Sequence, residues 1–283
     1  MNKERLIKDV LSSDAFVISP ILGGMMNESY LVSSQGKKYI LYIPTEQANE
    51  MVNRQLEKDN QAIVHSLGIT SKNVYFDVEK GIKINEFIEG NSLNKVDCYD
   101  LVKVAKLFHI LHNSKELSKE DYRPFKRFIA YEDEAKVFTK LEGEYLKIRD
   151  VLFANKEYLE SQKKTLCHND AQKSNIVQSN NNEYYFIDFE FMGNNDPIYD
   201  IATFGNDSVQ EGYALLEEYV INPNDDLKKR YYLWRMFVSL QWHNVALVKH
   251  YRGGGSVHSY DFSLVAKYFL NNAKEALNYL LKI

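Results

Sequence analysis

The chain is poor in cysteine, in excess positive charge and in long apolar runs. Cys98 and Cys167 are its only two cysteines in 283 residues. That is too few for a disulfide scaffold, and their spacing matches no zinc motif. A reducing compartment, the cytoplasm, is the expected location. Lys and Arg number 35 against 39 Asp and Glu, a net charge of -4. A protein that grips nucleic acid or an anionic membrane surface needs a basic face, so neither partner is expected. No stretch approaches the roughly 20 apolar residues of a membrane span. The opening MNKERLIKDVLSSD reads as an amphipathic helix and lacks the apolar core of a signal peptide. Internal repeats and low-complexity tracts are also missing.

What remains is ordinary globular material, 45% hydrophobic and 26% charged, with enough length for one large or two lobed domains. Against that background CHNDAQKSNIV stands out, followed one hairpin later by YYFIDFEF. His168, Asp170 and Asn175 fit an H-x-D-x-x-x-x-N loop, and Asp188 falls where kinases place the D-F-G aspartate. Phosphoryl transfer needs this division of labour. One carboxylate, Asp170, receives or orients the proton of the attacking hydroxyl. Another, Asp188, shares with the Asn175 amide oxygen the task of holding Mg²⁺ on nucleotide phosphates. His168 reads as a brace for the loop. Ile176–Gln178 and Tyr184–Ile187 read as two strands around an Asn-rich turn. A turn centred on Asn181 and Asn182 pairs Gln178 with Tyr185 and Ile176 with Ile187. That register sets Asn175 opposite Asp188, roughly 5 Å apart at Cβ.

Upstream, residues 1–14 suggest a helix, and Ala15–Ile18, Glu28–Val32 and Lys38–Ile43 suggest strands. A helix is expected from Asn53 to Leu67, stopped by Gly68, then a hairpin from Val74 to Phe87 around Gly81. Beyond Glu89-Gly90-Asn91-Ser92 helical periodicity takes over, over 97–113, 131–163, 199–220, 226–251 and 260–281. The expected architecture is α+β and two-lobed. A small antiparallel sheet lobe with one helix, residues 1–88, precedes a larger helical lobe, residues 89–283, with a nucleotide in the cleft between them. Arg252-Gly253-Gly254-Gly255-Ser256 reads as a connector between helices.

CHNDAQKSNI with FIDFE resembles the choline/ethanolamine kinases of the aminoglycoside-phosphotransferase-like, protein-kinase-like superfamily. GGMMNESYLV, NRQLEKDN and NDPIYDIA most resemble the bacterial choline kinases. The resemblance spans nearly the whole chain. It implies a two-lobed protein-kinase-like fold and ATP- and Mg²⁺-dependent phosphorylation of a small amino alcohol, with choline favoured. Ethanolamine, an aminoglycoside or thiamine are the alternative acceptors. On the matching positions Asp170 is the catalytic base, and Asn175 and Asp188 are the metal ligands. Glu190 joins the metal or the acceptor region, or serves as a structural carboxylate. Asp200 braces the catalytic loop.

The resemblance also places Gly24, Met25 and Asn27 in a nucleotide-covering loop, although a plain hairpin turn explains the Gly23-Gly24 pair as well. Glu86 to Ile88 falls at the hinge that meets adenine. Glu57 matches the helix glutamate that pairs with a phosphate-binding cation. That cation is expected on the third strand, where this chain has Tyr42. Lys38 lies roughly 13 Å away along the strand. Arg54 or another cation substitutes, or nucleotide binds differently, or the protein is a weakly active or non-catalytic homologue.

For the acceptor, a quaternary ammonium wants aromatic faces and carboxylates. Asp207, expected two helical turns beyond Asp200 on the same face, matches the family's acidic residue. Trp242 matches the first tryptophan of a W-x-x-W element whose second position here is Val245. By spacing Trp242 fits a cage or a core equally, while Tyr260 fits a core better than a cage.

Overall fold

The turn Gln35-Gly36 shows how the first sheet is built. Both residues have positive φ, 50° and 73°, the mirror-image geometry that a two-residue hairpin needs. Ser34 therefore pairs with Lys37, and strands β2 (Asn27–Ser34) and β3 (Lys37–Pro44) run antiparallel in continuous register. The computed structural model describes residues 2–21, 26–253 and 261–283. By contacts the chain divides into two units.

The first unit comprises Met1–Tyr99, Ser118–Glu120 and Ser174–Met192. It extends past the boundary expected at residue 88 and takes in the IDFE hairpin. Helix α1 (Lys3–Val10) precedes β1 (Phe16–Ile21), and α2 (Glu46–Met51) and α3 (Arg54–Ser66) follow β3. Next come β4 (Asn73–Asp77) and β5 (Ile82–Glu86), completing a five-stranded antiparallel sheet in the order β1-β2-β3-β5-β4. Ile7, Ala15, Val32, Leu41, Ile82 and Ile84 form its buried core. The helix expected over 1–14 is thus shorter, and α2 is an addition.

Helix α3 is capped by the Asn53 side chain, which accepts from the Leu56 N–H, and it stops at Gly68, whose φ is 73°. Its buried face is mostly polar: Arg54, Glu57, Asn60, Gln61 and Val64. Such a face is stable only where partners satisfy it. The β4–β5 turn holds Gly81 at φ 68°, where a Cβ would lie 2.6 Å from Arg54 Nε and against Asn49. A smaller sheet joins β6 (Gly90–Ser92), β8 (Ile176–Ser179) and β9 (Tyr184–Phe186). The Phe186 N–H donates to the Ile69 carbonyl at 2.9 Å.

The second unit comprises Asp100–Leu117, Asp121–Lys173 and Gly193–Ile283. It contains α4 (Leu101–His112), α5 (Pro124–Phe138), α6 (Glu144–Ala154), α7 (Lys156–Glu160) and β7 (Thr165–Cys167). After these come β10 (Gly193–Asn195), α8 (Pro197–Phe204), α9 (Val209–Tyr219), α10 (Asp225–Tyr251) and α11 (Phe262–Leu280). The helical region expected over 131–163 is three helices, the first started by Pro124 at its favoured N-terminal position. Phe125, Tyr199, Trp234 and Phe237 meet edge to face in the core, and Phe128 packs tilted against Phe237. No helix among the described residues is long and apolar enough to cross a membrane.

The region expected as one helix over 199–220 breaks at Gly205. There α8 and α9 approach closely. A Cβ on Gly212 would lie 2.8 Å from Gly205 Cα and press on the Tyr231 hydroxyl. Tyr231 is held by its bond to the Val209 carbonyl at 2.6 Å. Gly212→Ala is therefore expected to cost about 1–3 kcal/mol of stability, read as a lowered urea midpoint.

Candidate functional site

In the first unit the polar face of α3 meets a cation that sequence reasoning missed. Lys83 on β5 is 2% exposed. Alternation sends Ile82 and Ile84 into the sheet core and Lys83 to the opposite face. There Lys83 Nζ hydrogen-bonds Glu57 and stands 3.8 Å from Asp188 Oδ1 and 3.9 Å from Glu190 Oε1. Burial pulls the Lys83 pKa down, but Glu57, Asp188 and Glu190 push it further up, so it stays an ammonium ion. Tyr42 is its direct cross-strand partner, and Nζ lies 5.0 Å from the centre of the Tyr42 ring.

Arg54 is the second buried cation. Its Nη1 donates to Glu57 at 2.7 Å and Glu190 at 3.0 Å, and its Nε donates to Asn49 at 3.0 Å. Glu190 also accepts from the Asn27 amide at 2.7 Å. Burial alone would raise the Glu190 pKa; Lys83, Asn27 and Arg54 outweigh it and hold the carboxyl below its usual range. Glu190 is thus a clamped carboxylate tying the start of β2 to the segment after β9. Of the residues expected to cover nucleotide, Gly24 and Met25 lie outside the described residues. The N–H groups of Glu86 and Phe87 donate to the Lys72 and Lys38 carbonyls, and Ile88 follows beyond the strand.

The IDFE hairpin differs by one residue from the expected register. Ile176 pairs with Phe186, Val177 with Tyr185 and Gln178 with Tyr184. The Asn182 N–H donates to the Ser179 carbonyl, and Asn182 has φ 58°, so the loop has three residues with the last left-handed. Asn175 consequently faces Ile187, whose N–H donates to its carbonyl at 2.9 Å. Asp188 comes one residue later with φ 65°, where the chain leaves the strand.

Asp188 carries the strongest sign of a ligand. Its side chain is 34% exposed, yet Oδ1 is buried and has no hydrogen-bond partner among the described residues. Burial, then the neighbouring Glu190, pushes its pKa up to about 7, against the pull of Lys83. Lys83 and Arg54 face Glu57, Asp188 and Glu190, two positive charges against three negative. A divalent cation at Asp188 would reverse that imbalance and occupy the unbonded oxygen. The oxygens that Asp188 and Asn175 would offer are the kind that fit Mg²⁺.

In the second unit β7 delivers His168-Asn169-Asp170. Asp200, fully buried on α8, accepts the N–H groups of His168 and Asn169, each at 2.7 Å, and contacts His112 Nε2 at 3.1 Å. The His168 ring accepts the Asp170 N–H at 3.3 Å. Asn169, at φ 63°, bonds the Cys167 and Gly193 carbonyls and receives the Asn195 amide. His112, Cys167 and Asp200 bring donor atoms within 4.8 Å of one another, but both Asp200 oxygens already serve the loop. Asp170 is half-buried, and the Gln172 amide donates to it at 3.4 Å.

Three tyrosines feel the Asp170 charge: Tyr122, Tyr131 and Tyr199. Burial chiefly raises all three, Tyr131 to about 12. Tyr122 and Tyr199 lie ring to ring at 5.5 Å, and the Arg127 guanidinium sits 5.0 Å from the Tyr122 ring. Asp207 does not share a helix face with Asp200. It lies in the α8–α9 link, exposed, and pairs with Lys173 at 3.1 Å, because α8 ends at Phe204. Trp242 is half-buried and stacks on Phe269 at 5.8 Å. Tyr260 and Gly254 to Ser256 lie outside the described residues.

The residues missed from sequence had one available signal. Lys83 breaks an apolar strand between Ile82 and Ile84, directly across the ladder from Tyr42. The tyrosines near Asp170 had none, since only the fold gathers Tyr122, Tyr131 and Tyr199.

These features define a protein-kinase-like fold class: an antiparallel sheet with a buried Lys–Glu pair, a hairpin ending in Asp188 and an aspartate loop braced from a helix. A solved choline kinase LicA from Streptococcus pneumoniae is 26% identical, with a TM-score of 0.75 over 100% of both chains. Aminoglycoside phosphotransferase APH(4)-Ia, 13% identical, has a TM-score of 0.72 over 98% of this chain and 97% of its own, a likeness of fold. Protein LicA of Haemophilus influenzae is 27% identical over 215 residues, 72% of this chain and 62% of its own length. The choline/ethanolamine kinase family model matches residues 18–226, and the chain belongs to that family.

Proposed function

We propose that the protein transfers the γ-phosphoryl group of ATP to the hydroxyl of a small amino alcohol, with choline as the preferred acceptor. The observation that carries the reading is the buried Asp188 oxygen without a hydrogen bond, set in a cluster with surplus negative charge. Asp188 and Asn175 would hold Mg²⁺, which when bound neutralises phosphate charge. Asp170 orients the acceptor hydroxyl and takes its proton. Asp200 and His168 keep the Asp170 loop in one conformation. Choline is supported by the relatives whose names describe choline kinases and by the aromatic neighbours of Asp170, since a quaternary ammonium has no N–H to donate.

The test is ATP turnover with choline, ethanolamine, an aminoglycoside and thiamine, with product identified by mass. Choline is expected to give the highest kcat/KM. Turnover of another alcohol in its place would reassign the acceptor, and turnover of none would overturn the proposal.

A further inference from the structure

We infer that Lys83, reaching from β5, is the cation that binds the nucleotide polyphosphate, in the place where a third-strand cation was expected; this rests on the kinase reading above. Tyr42 and Lys83 are opposite each other in the β3–β5 ladder. Side chains so paired share one sheet face with Cβ atoms roughly 5 Å apart. A long side chain from either position therefore reaches the same space. Lys83 fills it, and Tyr42 closes it with a ring 5.0 Å from Nζ. A second cation at position 42 would put like charges together in a buried site.

The donor count supports the role. An ammonium has three N–H groups. Glu57 takes one, and the Asp188 and Glu190 oxygens, at 3.8 and 3.9 Å, are beyond hydrogen-bond range. Lys83 is thus oriented by Glu57, stands beside the carboxylate fitted for metal, and among the described residues keeps donor capacity for an anion. Arg54 spends Nε and Nη1 on Asn49, Glu57 and Glu190, and its buried Nη2 has no hydrogen-bond partner among the described residues. Lys38 is 45% exposed and pairs with Glu89 at 2.9 Å.

The experiment measures binding of adenosine and of Mg·ADP by calorimetry, beside thermal melting. Lys83→Met is expected to loosen Mg·ADP about 10–100-fold while adenosine affinity holds, the loss expected for a charge-assisted bond to phosphate. Removing Lys83 leaves three carboxylates against Arg54, so the single variant is also expected to melt lower. The double variant Tyr42→Lys/Lys83→Met returns a cation to the same space from the neighbouring strand. It is expected to recover Mg·ADP affinity. Unchanged Mg·ADP affinity in folded Lys83→Met, or equal weakening of adenosine and Mg·ADP, would overturn the inference alone. A wild-type protein that binds neither ligand would overturn the kinase reading with it.

Discussion

Asp170→Asn is expected to lower kcat by about 10²–10⁴-fold while leaving Mg·ADP affinity unchanged. Asparagine keeps the shape of the side chain and the Asp170 N–H bond to His168. It cannot accept a proton. The tyrosines that feel its charge, Tyr122, Tyr131 and Tyr199, do not replace that function: burial raises their pKa values and keeps their hydroxyls protonated near neutrality. They serve as donors and apolar walls, not as bases. Steady-state kinetics with saturating ATP and acceptor, beside ADP calorimetry, separate the two effects. A kcat within a few-fold of the parent would remove Asp170 from proton transfer. A parallel loss of nucleotide affinity would instead make it a positioning residue.

The sheet and the motif loop are legible because both follow local rules. Alternation marks β3, a positive-φ turn joins it to β2, and the spacing of His168, Asp170, Asn175 and Asp188 is a property of neighbouring residues. The hairpin register is lost by one residue because Asn180, Asn181 and Asn182 all tolerate turn geometry, and nothing local chooses between a two- and a three-residue loop. Asp207 is misplaced because periodicity runs through Gly205, where packing against Gly212 ends the helix. Lys83 is missed for a different reason. A search for a cation along β3 finds Tyr42 and stops, while the physical requirement is positive charge at a point in space. An adjacent strand meets it equally well. On the inference drawn for Lys83, the apparent loss at Tyr42 is a displacement by one strand, to its cross-strand partner.

Asp200→Ala is expected to destabilise the protein by about 3–5 kcal/mol, the range for removing one partner from a buried charged network. Asp200 is fully buried in the first turn of α8, where the helix dipole favours its charge. Its oxygens satisfy the N–H groups of His168 and Asn169 and contact His112. Alanine strands both backbone donors in a site that water does not reach, and Asn169 is already held at positive φ. The loop bearing Asp170 then loses the two bonds that Asp200 makes to its N–H groups, so kcat should fall as well. Asp200→Asn separates the causes. Its carbonyl oxygen can keep one N–H, while its NH₂ faces the other donor, so stability should fall between parent and alanine. Urea unfolding gives the energies, and turnover measured well below each midpoint gives the activity of folded protein. An alanine variant within about 0.5 kcal/mol of the parent, with normal kcat, would show that Asp200 does not anchor the loop.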